Sequence, residues 1–289
     1  MDIDEAIRSL DIEYRLKKLV YYEDPLFHSV EWGVNYIFFS PCKRIRPLLL
    51  LETNKAFAKP NDNSYILAAL VEMIHTYSLV HDDLPCMDDD KMRRGQPTLH
   101  TIVDEAYALL VGDGLLTGAF GLLSKYTDTH KLPQIIKTIN DKSGTAGMIR
   151  GQFLDLKGER SKLELDSIKE INYYKTCCMI ELAMMLGAIN GGADNTVIEN
   201  IEKIGTAVGH IFQLQDDILD ITGNSAVTGK STGQDSRNNK SSMPLSVGID
   251  ETRKMMENYA ASALELSKSC FVDPAFFYGL IEFLMNRVK

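Results

Sequence analysis

Five aspartates crowd into nine residues, Asp82, Asp83, Asp88, Asp89 and Asp90, and Arg93 and Arg94 follow at once. Carboxylates that close repel and raise one another's pKa unless something cationic holds them together. An oxygen-rich set of this kind suits Mg²⁺, which keeps several waters and shares the phosphate oxygens of a substrate. A second set, Asp216, Asp217 and Asp220, lies within "GHIFQLQDDILDITG", residues 209–223. At about 100° per residue Asp216 and Asp220 fall on one helix face, with Gln213 a turn earlier. Paired anions at that spacing destabilise an isolated helix, so the flanking Ile211, Leu214, Ile218 and Ile221 predict a packed one. Taken singly, the first set reads equally as a solvated acidic loop and the second as a polar helix face with surface ion pairs. Together they could grip divalent ions, and such ions would hold a diphosphate.

A diphosphate needs further donors, and basic residues cluster at "CKRIRP" (42–47), Arg93 with Arg94, Lys175, Lys230 and Lys240. Arginine forks and lysine point charges both bind phosphate. Lys43, Arg44 and Arg46 directly precede the apolar run "PLLLLE", which seats them at a helix start, a favourable place for an anion. His75 stands seven residues before Asp82, on nearly the same helix face about two turns away.

The elements that must position these groups are helices. Apolar residues recur three and four apart over 65–83, 104–126, 168–189 and 197–221, and strand-like alternation is scarce. With only nine prolines, an all-α protein of many packed helices is expected. Pro85 disfavours helix at Leu84, so Asp82 and Asp83 are placed at a helix carboxyl end, where the macrodipole opposes anions, and Asp88 returns after a bend. With no internal repeat and no low-complexity linker, a single domain over 1–289 is expected. The clearest loop is 222–242, rich in Gly, Ser, Asn and Thr, a length that marks a lid or a disordered segment.

Composition bounds the function. A net charge of −9 argues against non-specific nucleic-acid binding and for a small partner. Even the greasy stretch Ile66–Val80 carries Glu72 and His75, so no stable membrane insertion is expected. The start "MDIDEAIRSLDIEYRLKK" is acidic and amphipathic, unlike a signal peptide. Five cysteines, Cys42, Cys86, Cys177, Cys178 and Cys270, show no paired spacing and read as thiols, which with the rest predicts a cytoplasmic protein.

"EMIHTYSLVHDDLPCMDDDKMRRGQPTLH" and "FQLQDDILD" resemble the two aspartate-rich motifs of the trans-isoprenyl diphosphate synthase family, most closely in its bacterial farnesyl diphosphate branch. "GMIRGQFLDL", "YYKT" and "TGK" resemble further blocks in the expected order, so the similarity covers roughly residues 40–245. The resemblance implies the isoprenoid synthase fold, many packed helices around a central cavity, a homodimer and a requirement for Mg²⁺. It implies that Asp82, Asp83, Asp88, Asp216 and Asp220 bind metal, Asp217 acting indirectly. It implies that Arg93, Lys175 and Lys230 hold the allylic diphosphate with Thr176, Gln213 and Lys240, and that Lys43, Arg46, His75 and Arg94 receive isopentenyl diphosphate. Gln152 and Asp155 would support these groups. Two departures stand out: Pro41 and Cys42 replace the usual Gly-Gly before the basic block, and Cys177, Cys178, Met179 and Ile180 replace the usual small residues and Leu-Ile.

The implied reaction breaks the allylic C–O bond as metal and basic side chains draw charge onto the diphosphate, and the double bond of isopentenyl diphosphate attacks the cation that forms. Asp82, Asp83, Asp88, Arg93, Lys175, Asp216 and Lys230 are the expected catalytic set, and no side-chain nucleophile is needed. Ser78 lies a turn under Asp82 with Tyr77 beside it. A ring there goes, in the family, with a fifteen-carbon product, so farnesyl diphosphate is expected. A geranylgeranyl diphosphate synthase and a non-catalytic subunit of a heteromeric prenyl synthase are the alternatives. A metal-dependent phosphohydrolase built on His81 and Asp82 is a further rival, though such sites want several histidines and only six are present.

Overall fold

The computed structural model describes residues 3–158, 163–222 and 241–287; Lys230, Lys240 and most of the loop 222–242 lie outside them. The described residues fall into two compact units, one built from 3–51 and 60–130, the other from 52–59 and 131–287. Helices make up nearly all of the regular structure in both, as the periodicity predicts.

The first unit runs through α1 (Ile3–Ser9), α2 (Ile12–Val20), α3 (Val30–Phe38), the start of α4 (Ile45–Lys55), α5 (Asp62–Asp82), strands β1 (Met92–Arg93) and β2 (Gln96–Pro97), α6 (Leu99–Ile102) and α7 (Glu105–Leu122). α5 is its centre. Asn61 and Ser64 close a reciprocal capping box that starts it, and Leu67, Ala68, Ala69, Leu70, Val71 and Ile74 are fully enclosed. A helix apolar on all sides belongs inside a core. α7, started by the side chain of Asp104 accepting from the Tyr107 N–H at 2.7 Å, packs along α5. The approach is close at Gly112, where any Cβ would meet the His81 ring and force it to shift.

The segment Glu105–Lys125 is long and apolar enough to cross a bilayer by length and composition alone. One face, carrying Ala108, Val111, Leu115 and Ala119, is buried in the unit; Leu109, Leu110 and Phe120 on the other stand exposed. That pattern is a core helix with a second apolar face.

The second unit holds α8 (Leu132–Ser143), α9 (Met148–Gly158), α10 (Leu165–Asn172), α11 (Cys178–Gly191), α12 (Asn195–Thr222), α13 (Met243–Val247), α14 (Ile249–Cys270) and α15 (Ala275–Asn286). The 28-residue α12 is its spine, burying Ile198, Ile201, Ile204, Val208, Ile211, Leu214 and Ile218. The helix expected over 168–189 is interrupted: Tyr173–Cys177 forms a π-helical turn, closed by the Cys178 N–H on the Tyr173 carbonyl. Three glycines make room around it. A Cβ at Gly151 would come within 2.3 Å of Lys175 N, one at Gly209 within 2.6 Å of Cys177 Cα, and one at Gly205 within 2.9 Å of Glu181 Cα. Such turns inside helices mark functional places, and this one carries Lys175 and Thr176.

Candidate active site

α5 ends at Asp82, and the Asp83 N–H closes its last turn on the Leu79 carbonyl. The chain then folds back on itself. Met87 and Asp89 donate to the Leu84 carbonyl, and the Asp88 N–H reaches the Asp82 carbonyl at 2.9 Å, which brings Asp88 back beside the helix end. Asp82 and Asp83 are buried, and burial pushes the Asp83 carboxyl up to about 6 against the pull of Arg93.

Arg93 reaches Asp83 because of the ribbon that the periodicity did not show. β1 and β2 pair antiparallel, Met92 opposite Pro97 and Arg93 opposite Gln96, around Arg94 and Gly95 at φ 53° and 77°. Two positive φ values are what a two-residue hairpin turn needs. Arg93 Nε and Nη2 then donate to Asp83 Oδ1 at 2.9 and 2.5 Å, and Nη2 to Asp90 Oδ2 at 3.0 Å. Arg94, on the turn, donates to Ser40 Oγ at 3.3 Å.

On the same unit, Lys43 is exposed just before α4, Arg46 lies in its first turn, and Arg44 is buried. Burial and the guanidiniums of Arg46, Arg94, Arg93 and Arg44 drive the His75 pKa well below its usual range, so its imidazole is neutral at pH 7. The charges of the basic block and of the arginine pair are thus both felt at His75. Tyr77 and Ser78 are enclosed; the Tyr77 ring sits edge-on to His81 at 5.7 Å, and burial raises its phenol to about 12. His81 turns toward α7, with Nε2 3.1 Å from the Leu109 carbonyl and 3.9 Å from Asp113. A phosphohydrolase built on His81 and Asp82 loses its histidine to that packing.

In the second unit Asp216 and Asp220 lie on α12, and Asp217 is buried. Thr176 Oγ1 donates to Gln213 Oε1 at 2.6 Å, Gln213 Nε2 donates to Asp217 Oδ1 at 2.8 Å, and the Met243 N–H reaches Asp217 Oδ2 at 3.4 Å. This chain of bonds turns Asp217 inward. Lys175 Nζ donates to Asp155 Oδ2 at 2.7 Å, so Asp155 of α9 holds the lysine of the π-turn.

Two features escaped sequence reasoning. Arg287 donates to Asp216 Oδ1 at 2.5 Å and to the Phe212 carbonyl at 2.8 Å, a partner whose only sequence signal was its charge. Behind the π-turn, Lys142 of α8 is shared between Glu181 of α11 and Glu202 of α12, and Thr206 donates to Glu181 at 2.6 Å. Burial opposes the Lys142 charge, and the two carboxylates outweigh it. Lys142, Tyr173, Cys178 and Glu202 line a cavity of about 350 Å³ there.

Residues 29–270 match the family model for polyprenyl synthetase. The chain belongs to the polyprenyl synthetase family. Among its relatives, the farnesyl diphosphate synthase of Geobacillus stearothermophilus is 38% identical over 85% of this chain and 84% of that one. The chloroplastic geranylgeranyl pyrophosphate synthase of Capsicum annuum is 34% identical over 86% of this chain and 68% of its own. The solved geranyltransferase from Helicobacter pylori, complexed with magnesium and isoprenyl diphosphate, superposes with a TM-score of 0.83 at 29% identity, covering 98% and 95% of the two chains. The all-α expectation is thus met in its specific form, the fold of the isoprenyl diphosphate synthases.

Proposed function

We infer that the protein is a prenyltransferase that joins isopentenyl diphosphate head to tail to dimethylallyl and then geranyl diphosphate, giving (2E,6E)-farnesyl diphosphate. The observation that carries this reading is the return of Asp88 to the buried Asp82 and Asp83 at the end of α5, with Arg93 folded onto them.

The donors on offer are all carboxylate oxygens, which suit Mg²⁺, an ion that takes one or two carboxylates and completes its shell with water and substrate phosphate. Asp82, Asp83, Asp88, Asp216 and Asp220 are the residues that would hold it; bound there, it supplies positive charge against the departing diphosphate. Arg93 and Lys175 add fixed donors to the allylic diphosphate as its C–O bond breaks, Asp155 aiming Lys175 and Gln213 aiming Thr176. Lys43, Arg46, Arg94 and the neutral His75 receive isopentenyl diphosphate. No side-chain base is assigned; the departing diphosphate takes the proton.

Tyr77 supports the fifteen-carbon product, because this enclosed aromatic stands five residues, about 7.5 Å of helix rise, before Asp82 on α5. The geranylgeranyl reading rests on relatives such as that of Capsicum annuum. A non-catalytic subunit is disfavoured by two complete aspartate sets. Exposed Leu109, Leu110 and Phe120 on α7 support a homodimer, and five free thiols support the cytoplasm. The experiment is to incubate the protein with labelled isopentenyl diphosphate, each allylic starter and Mg²⁺ and to measure product length. Farnesyl diphosphate is expected from the parent and longer chains from Tyr77→Ala. Phosphate release without prenyl transfer would overturn the reading, and twenty-carbon product from the parent would replace it with the geranylgeranyl one.

A further inference from the structure

One buried carboxylate sits among the cations assigned to isopentenyl diphosphate and has no place in the reaction described so far. Glu72 lies one turn before His75 on α5, with its side chain 3% exposed. Its Oε1 accepts from Arg44 Nη1 at 3.0 Å, and the same oxygen is 3.9 Å from Arg94 Nη2 and 3.9 Å from Cys42 Sγ. Three positions of the candidate site thus meet at one oxygen, the last being where this chain departs from the family's glycines.

Arg44 shows how firmly that meeting is built. Its backbone stands at φ 43°, a left-handed conformation that a long L side chain avoids unless its surroundings over-determine it. Here they do. Besides Glu72, Nε and Nη2 donate to Glu13 at 2.7 and 3.3 Å, Nη2 donates to the Phe38 carbonyl at 2.6 Å, and the guanidinium lies over the Phe38 ring at 4.8 Å. Arg44 therefore points into the unit and is withheld from any ligand, while Lys43 on one side is exposed and Arg46 on the other is partly so. Arg94 is also left-handed, at φ 53°, as the first turn residue of the ribbon. One carboxylate of charge −1 between Arg44 and Arg94 offsets part of their mutual repulsion, and its low-dielectric setting strengthens that hold.

We propose that Glu72 is a positioning residue for isopentenyl diphosphate: by pinning Arg44 inward and drawing Arg94 toward the same oxygen, it fixes where Lys43, Arg46 and Arg94 present their charge. This rests on the assignment of those residues to that substrate. Glu72 touches no reacting atom, so its removal acts on affinity for one substrate and leaves the bond-breaking step alone.

The test is steady-state kinetics of the full chain with Glu72→Gln, Glu72→Asp and Arg46→Ala, the Tm of each being recorded. Glu72→Gln keeps the shape and removes the charge; it is expected to raise KM for isopentenyl diphosphate about tenfold, with kcat and KM for the allylic substrate within about twofold of the parent. Glu72→Asp, which restores the charge on a stem one methylene shorter, is expected to leave that KM about threefold above the parent. An unchanged KM for isopentenyl diphosphate, or a parallel rise in both KM values with a fallen Tm, would show a merely structural carboxylate and overturn the proposal. Should Glu72→Gln not fold, Glu72→Asp decides: a KM raised about threefold for isopentenyl diphosphate alone supports positioning, and parent values refute it. Arg46→Ala separates the two levels. If it raises that KM while the Glu72 variants do not, only the role of Glu72 fails; if none of them does, the substrate assignment of the whole cluster fails.

Discussion

In the first unit Asp83 finds its cation ten residues away, on a ribbon that folds directly back from the same helix end. In the second, Asp216 is met by Arg287, seventy-one residues further on, and Asp217 by Gln213 one helical turn before it. The two aspartate sets share a chemistry and differ in how their charge is managed. In the first, Asp82 and Asp83 are buried and Asp83 is compensated locally, so burial outweighs Arg93 and the Asp83 pKa stands near 6. Asp216 is 43% exposed and is compensated by a distant guanidinium. A carboxylate set can thus be readied for a divalent cation either by enclosing it beside a fixed arginine or by leaving it open beside a removable one.

The largest expected effect tests whether both sets serve one step. Asp82→Ala and Asp216→Ala should each lower kcat about 10³-fold, the range seen when electrostatic stabilisation of a developing charge is lost. Because groups that act as a unit are not additive, the double variant should lose little more than either single one. A double variant with a loss near 10⁶-fold would show two independent contributions. Asp216→Ala also removes the partner of Arg287 and should lower the Tm slightly.

Acid titration sharpens the contrast, since the two regions carry groups shifted in opposite directions. Asp83 has a folded pKa near 6 against an ordinary 3.8, so between those values the folded state holds more protons and stability falls as pH rises. His210, on α12 and stacked at 4.5 Å on Tyr259, is pushed down to about 4 from 6.5 by burial and by Lys169. There the unfolded state holds more protons, and stability rises with pH across the window from about 4 to about 6.5. Each shift spans a little over two pH units, or up to about 3 kcal/mol, and the two offset one another in the parent. Denaturant unfolding in chelator at pH 4, 5, 6 and 7, at fixed protein concentration, should therefore give a shallow profile for the parent. Asp83→Asn should gain stability as pH rises to 6.5 and His210→Phe should lose it as pH rises to 6. Identical profiles for the two variants would remove the distinction between the regions.

The sequence revealed the first region more fully than the second, for a physical reason. Pro85 announces the end of α5, and a carboxylate cluster followed by Arg93 declares its own compensation within one local stretch. Even there the ribbon was missed, because two-residue strands are too short for alternation; the signal was Gly95 beside Arg94, a pair suited to a tight turn. In the second region the spacing of Asp216 and Asp220 predicted a helical stretch, and both lie on α12, whose Asp217 is buried. What periodicity could not show was the π-turn at Tyr173–Cys177, since the apolar spacing of 168–189 runs through it. Its determinants, Gly151, Gly205 and Gly209, lie on other helices and act through how closely backbones approach. Lys142, Glu181 and Glu202 were invisible likewise, each an ordinary charged residue until three helices bring them together.

The smallest expected effect decides whether the charge on Asp216 is removable. Arg287 is 7% exposed, lies over the Phe212 ring at 4.4 Å, and accepts at its own carbonyl from Gln215 Nε2 at 2.8 Å. Its hold on the half-exposed Asp216 belongs to the class of pairs worth about 0.2–1 kcal/mol, because solvent screens it. A guanidinium bound to a metal-ligand candidate must leave, or shift, before a cation takes that oxygen. Arg287→Ala should then lower the Mg²⁺ concentration giving half-maximal rate by up to about fivefold, with kcat at saturating Mg²⁺ unchanged. Arg287→Lys, which keeps the charge without the planar fork, should fall between. A half-maximal Mg²⁺ concentration that rises instead would mean that Arg287 orients Asp216 for the ion, and the second set would then be as fixed as the first.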